Sequence, residues 1–317
     1  MARISALKQL KTVLQGTATA GAKAAMVIEL EPNLPDTAIK VLDDALEGAE
    51  PILQVAIMDV YFEMTKDDYH KKDLERILNE AMSGGDASEE VYMAARIALG
   101  RISGAKQDAL DKWGDSGVEI AAVTTRQRTA PGMSEADKAR TSITVMIHGT
   151  WASDGDWWRP NGDFFEYVKK NLEREDLYGE EDQFMWSGKN RDSKRRKAGL
   201  SLVNWIDAHP ADEVNVFAHS HGANVAMLAT HDDLCIDQLV MLSPPVNADY
   251  FAKWSNVKSA FNIQADFDPV VAIARGGQWF RLPQVLEKKL KASGHSASHD
   301  PEVWRNESVN DFIGIPW

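Results

Sequence analysis

From residue 141 onward, short unbroken apolar runs alternate with amphipathic helical stretches, and that alternation leaves few folds open. The runs are residues 143–147, 183–186, 214–218, 239–242 and 260–263; helical stretches occupy 164–172, 193–208 and 221–229. A run that is apolar at successive positions, rather than at every second one, suits a strand buried on both faces, as parallel strands are. Strand and helix in repeated succession imply a parallel sheet with right-handed crossovers. The expected fold class is α/β, a mostly parallel sheet flanked by helices.

The first hundred residues have another texture. Apolar residues recur at helical spacing in 24–30, 52–62 and 91–99, with breaks at 31–35, at Glu50-Pro51 and at 83–86. These segments start 28 and 39 residues apart, which loosely suits stacked helical hairpins of the HEAT or TPR kind. Residues 1–104 therefore read as an all-helical domain. Residues 105–140 are polar and turn-rich and read as a linker, within which 118–124 has the pattern of an extra strand. Residues 141–317 form the α/β domain.

A net charge of −13 argues against a nucleic-acid partner, which would need a basic surface, and against adsorption to anionic lipid. Cys235 is the single cysteine, so no intrachain disulfide can form and a reducing compartment is the default. Lys8 and Lys11 interrupt the start where a signal peptide needs an apolar stretch, and no apolar run reaches ten residues, so no transmembrane segment is expected. Cytoplasmic residence follows, with signal-independent export left open.

The strongest chemical signal is residues 213–226. A buried strand over 214–218 leads into a five-residue turn, Ala218-His219-Ser220-His221-Gly222, and an apolar helix over 221–229. The small residues Ala218 and Gly222 stand two places either side of Ser220. A sharp strand-to-helix turn requires this, because the two elements approach too closely for larger side chains. Ser220 then sits at a helix N-terminus, where the dipole favours developing negative charge. The bland alternative is an ordinary turn with an N-capping serine. This segment resembles the α/β-hydrolase nucleophile elbow, with Ala218 in place of the first glycine, and the resemblance covers about residues 141–317. With the aromatic-rich stretch 148–158, Arg159-Pro160 and residues 184–190, it looks like a little-described bacterial esterase/lipase-like branch of that fold.

The resemblance implies further residues. An oxyanion hole would use the backbone N–H of His221 and that of Thr150 or Trp151, since strand 143–147 runs into His148-Gly149-Thr150-Trp151. His148 reads as a structural histidine. The acid of the triad is Asp268, with Asp266 as the fallback. The base is His295 or His299, and spacing favours His295, because His299 adjoins Asp300-Pro301, the start of the closing helix. The order Ser, Asp, His along the chain is that of this fold. Among the aromatics, Trp151 is a candidate pocket residue, while Trp157, Trp158, Phe164 and Phe165 read as packing.

Other features carry less. His219 and His221 alone do not make a hydrolytic zinc site, which takes three ligands. The basic run 194–197 reads as a solvated helix face. No phosphate-binding glycine loop occurs, and no metal or organic cofactor is implied. The expected function is hydrolysis of small-molecule or lipid carboxylic esters through an acyl-enzyme. The alternatives are a lipase or phospholipase exported as an effector, and a helical partner-binding protein whose hydrolase half is inactive.

Overall fold

The structure, a computed structural model, describes residues 2–82, 89–103, 140–153 and 155–314. The expected linker 105–140, with its strand at 118–124, lies outside these residues except for Arg140, which opens the first strand.

Among the described residues, six helices come first: α1 (Ala2–Gln15), α2 (Ala20–Leu30), α3 (Ala38–Leu46), α4 (Pro51–Thr65), α5 (Lys71–Met82) and α6 (Glu89–Ile102). The three expected helical segments fall within α2, α4 and α6. Pro51 starts α4 at a position where its missing N–H costs nothing. That helix is buried almost continuously from Ile52 to Val60, as a helix at the centre of a bundle must be. It packs on α2 and on α6, and α6 packs on α5. These helices share one apolar core.

The second half forms a five-stranded, wholly parallel sheet in sequential order: β1 (Arg140–Ile147), β2 (Ala211–His219), β3 (Ile236–Leu242), β4 (Val257–Gln264) and β5 (Val285–Lys289). Between and after the strands come α7 (Asp163–Asn171), α8 (Asp192–Ala208), α9 (His221–Ala229), α10 (Pro269–Ile273), α11 (Pro301–Asn306) and α12 (Val309–Ile313). Successive strand residues point to opposite faces. Ile143, Val145, Val216 and Leu239 pack in one core with Ala198 and Leu202 of α8 and Val225 of α9. Met146, Phe217, Val240 and Phe261 pack in another with Phe164 of α7 and Trp304 of α11. Both faces are covered, which explains the continuous apolar runs.

Two departures from the sequence reading are instructive. Residues 183–186 form no strand: Phe184 and Trp186 are buried from a loop, so that apolar run reports core packing and not extended pairing. The bridge to β1 lies earlier, where the Thr144 N–H donates to the Asp176 carbonyl (3.0 Å) and Tyr178 donates to the Thr144 carbonyl (2.9 Å). Strand β5 was not expected, because Val-Leu-Glu-Lys-Lys is polar; it pairs with β4 alone, at the sheet edge.

The two halves meet at α10. Ile273 and Ala272 of α10 enter the core of the helical half. Beside them Asp59 of α4, fully buried, pairs with Arg101 of α6 and with Arg275 (3.2 Å), and Arg101 also donates to the Ile273 carbonyl (2.5 Å). Burial pushes the Asp59 pKa up while the two guanidinium groups pull it down.

Candidate active site

Ser220 joins β2 to α9 with φ 53° and ψ −131°, a conformation that a residue with a Cβ adopts only when its surroundings enforce it. Its N–H donates to the Leu242 carbonyl at 2.8 Å, tying the turn to the end of β3. Although Ser220 occupies the N-cap position, its hydroxyl makes no capping hydrogen bond. The turn exists because its neighbours are small. A Cβ on Gly222 would lie 2.5 Å from the His148 carbonyl oxygen, and one on Gly149 would lie 2.8 Å from the Ser220 Cβ. Both glycines are there for space.

Asp268 stands at the N-cap of α10, directly after β4. One carboxylate oxygen, Oδ1, accepts from the Val271 N–H (3.0 Å), and the other, Oδ2, accepts from His295 Nδ1 (2.7 Å). The pair is 1% exposed at each residue. With the proton on Nδ1, the lone pair of the neutral ring sits on Nε2. Ser220 and His295 line the same narrow cavity, together with Thr150, Trp151 and His221.

The alternative acid and base go elsewhere. Asp266 pairs with Lys289 on β5 and its N–H donates to the Ala292 carbonyl. His299 stacks on Trp157, centroids 4.2 Å apart and planes 13° apart, and meets His219 edge-on. Burial, then the nearby His295, pull its pKa down to about 3. His219 is likewise pushed well below the ordinary histidine value, by burial and then by His295, His299 and His148; its Nε2 meets the His295 carbonyl at 3.3 Å. His148 donates from Nδ1 to the Gly149 carbonyl (2.8 Å), and its ring lies against Trp158 and Trp186.

The loop after β1 requires one correction. The Trp151 N–H donates to the Gly188 carbonyl at 2.9 Å, so it is committed to holding the loop and not to an oxyanion. Thr150 remains beside it, with Oγ1 2.9 Å from His221 Nδ1. His221 is the first residue of α9, and an N–H in that position has no acceptor within its own helix. Burial and then the charge of Arg195 hold its ring well below the ordinary histidine pKa. Trp151 does line the cavity, whereas Trp157, Trp158, Phe164 and Phe165 belong to the core under the sheet.

Several cavity residues carry no sequence signal. Met93 and Ile97 of α6, with Pro245, Val270, Val271 and Ala274, make the wall apolar. Tyr92 and Arg96, also on α6, lie against the Trp151 ring, the guanidinium 4.2 Å from the ring centroid. The first helical half is therefore part of the site, which nothing in its own sequence announces. Among the described residues no cluster of three or more His, Cys, Asp or Glu is arranged to hold a metal ion, and no helix is long and apolar enough to cross a membrane.

No protein family and no curated protein matches the chain. Among solved structures, it is similar to the crystal structure of an uncharacterized protein from Bacillus cereus ATCC 10987, which is 13% identical, with 99% of each chain covered and a TM-score of 0.36. Likeness at that level carries no argument about fold or chemistry.

Proposed function

We propose that this chain is a serine hydrolase of the α/β-hydrolase type, cleaving carboxylic esters through an acyl-enzyme. The observation that carries the reading is the Asp268–His295 hydrogen bond of 2.7 Å opening on the cavity that also holds Ser220 on its strained turn. Ser220 follows β2, Asp268 follows β4 and His295 follows β5, so all three stand beyond the carboxyl ends of parallel strands, where open α/β sheets bind ligands.

In this mechanism His295 Nε2 takes the Ser220 hydroxyl proton as Oγ attacks the ester carbonyl carbon. Asp268 holds the ring by Nδ1 and stabilises the imidazolium that results. We assign the backbone N–H groups of Thr150 and His221 as the donors to the oxygen that gains negative charge. Collapse expels the alcohol, which takes its proton from His295, and leaves an acyl group on Ser220. Water, deprotonated by the same histidine, releases the acid and frees the serine. The apolar wall from Met93 to Ala274 suits the acyl chain of such a substrate.

The test is hydrolysis of a p-nitrophenyl ester series of increasing acyl length by the full chain and by Ser220→Ala. The parent should hydrolyse at least one member, and Ser220→Ala should lose about 10⁴ to 10⁶ in turnover. Undiminished activity in that variant would sink the assignment, and the chain-length profile sorts a small-ester enzyme from a lipase.

A further inference from the structure

His295 is held from within the α/β half and also from outside it. Asp268 takes its ring through Nδ1, and His219 Nε2 meets its carbonyl at 3.3 Å. Its backbone N–H donates to Oε1 of Glu90, at 2.8 Å, and Glu90 belongs to α6. Gly294, immediately before His295, has φ +105°, a conformation suited to glycine, and a Cβ there would lie 3.4 Å from Glu90 Oε1. The Gly294 N–H is bonded in turn to the Phe267 carbonyl (2.8 Å), next to Asp268.

We propose that Glu90, carried by the amino-terminal helices, is a positioning residue for His295, so that α6 supplies part of the catalytic apparatus as well as a wall of the cavity. The proposal rests on the hydrolase reading above. A carboxylate at this place is not electrostatically neutral packing. Burial raises the Glu90 pKa, and the nearby Asp268 raises it further, while the hydrogen bond from the His295 N–H and the charge of His295 act the other way. The acid is held close to a like charge, and its partner in the hydrogen bond is the backbone of the proposed base. An acceptor that fixes the main chain at His295 fixes where Nε2 stands relative to Ser220. Misplacement of a catalytic group by about 1 Å can cost on the order of a hundredfold.

The experiment compares kcat and KM on one activated p-nitrophenyl ester for the full-length parent, Glu90→Ala and Glu90→Gln. Glu90→Ala removes the acceptor and should lower kcat by about ten- to a hundredfold with KM changed by less than about threefold. Glu90→Gln keeps an oxygen at the same reach and should restore kcat to within about threefold of the parent. A merely structural glutamate predicts loss of folded protein in Glu90→Ala and parental kcat in whatever remains folded. If Glu90→Ala does not fold, Glu90→Met, which keeps the length and removes the acceptor, carries the same expectation. A parent that hydrolyses while the variant lacking the acceptor does so equally fast overturns this proposal alone, as does Glu90→Gln remaining as slow as Glu90→Ala. A parent inert to every ester overturns the hydrolase reading and this one with it.

Discussion

Replacing Gly222 by alanine tests whether the space at the elbow is as tight as the geometry requires. Gly222 is the second residue of α9 and has no left-handed φ, so a side chain meets no backbone strain there. Helix propensity alone would favour alanine by up to about 1 kcal/mol. The obstacle is space. The new Cβ would lie 2.5 Å from the His148 oxygen and 2.8 Å from the Ile147 oxygen, and both are main-chain atoms at the end of β1 that cannot rotate away. To reach ordinary contact at 3.4 Å, the strand end must retreat by most of an ångström. Overpacking of this kind typically costs about 1–3 kcal/mol, and the rigid neighbours place this case near the upper end, about 2–3 kcal/mol. For a chain of this size that lowers Tm by roughly 3–5 °C. The atoms that retreat lead directly into Gly149 and Thr150, so ester turnover should fall by about a hundredfold as well. Gly21 supplies the control. It also occupies the second position of a helix, α2, but a Cβ there would meet only Pro269 side-chain carbons at 3.8 and 4.0 Å. Gly21→Ala should raise Tm by about 1–2 °C. Thermal unfolding and ester turnover of the two variants give both readings. A Gly222→Ala protein as stable and active as the parent would refute the account of the elbow.

Two further outcomes follow from the histidines. His295→Ala should lose at least about a thousandfold in kcat/KM and His299→Ala far less, because only His295 reaches Asp268; the reverse ranking would transfer the base to His299. Stability should fall as the solution is acidified from about pH 6.5 towards the His299 value of about 3, since the unfolded chain takes up a proton that the buried neutral ring refuses. His219 and His221 act in the same sense, and Asp59 and Glu90, whose pKa values are raised, act in the opposite one. Urea midpoints measured between pH 7 and 4 should therefore drop. His299→Phe, which keeps a ring against Trp157, should flatten the slope by up to about 1.4 kcal/mol per pH unit. An unchanged slope in that variant contradicts the buried neutral ring.

What could be read from the sequence was what local rules dictate. The small residues around Ser220 announce a close strand–helix turn, whereas Asp268 after β4 and His295 ahead of Asp300 come from the resemblance to a known fold, with local spacing only ranking His295 above His299. The apolar run at 183–186 misled, because burial from a loop and burial in a strand leave the same mark. Trp151 misled in another way: its backbone donor is consumed by Gly188, a partner far along the chain that no local pattern announces. Glu90, Met93 and Ile97 were invisible for the same reason. On α6 they read as an acidic residue and two core residues, and only the docking of α10 into the helical half turns that face towards Ser220. Strand β5, polar and at the sheet edge, offers no apolar run to detect.

The central claim is that Ser220 is a nucleophile activated by His295, and covalent labelling tests it without any guess at the substrate. A fluorophosphonate probe, applied to the full chain, should add one adduct whose peptide mapping places it on Ser220. The rate of addition should fall as the solution is acidified, as expected of a neutral histidine base. Ser220→Ala should take no label and His295→Ala should take it far more slowly. Labelling that persists in Ser220→Ala, or that maps to another residue in the parent, contradicts the account.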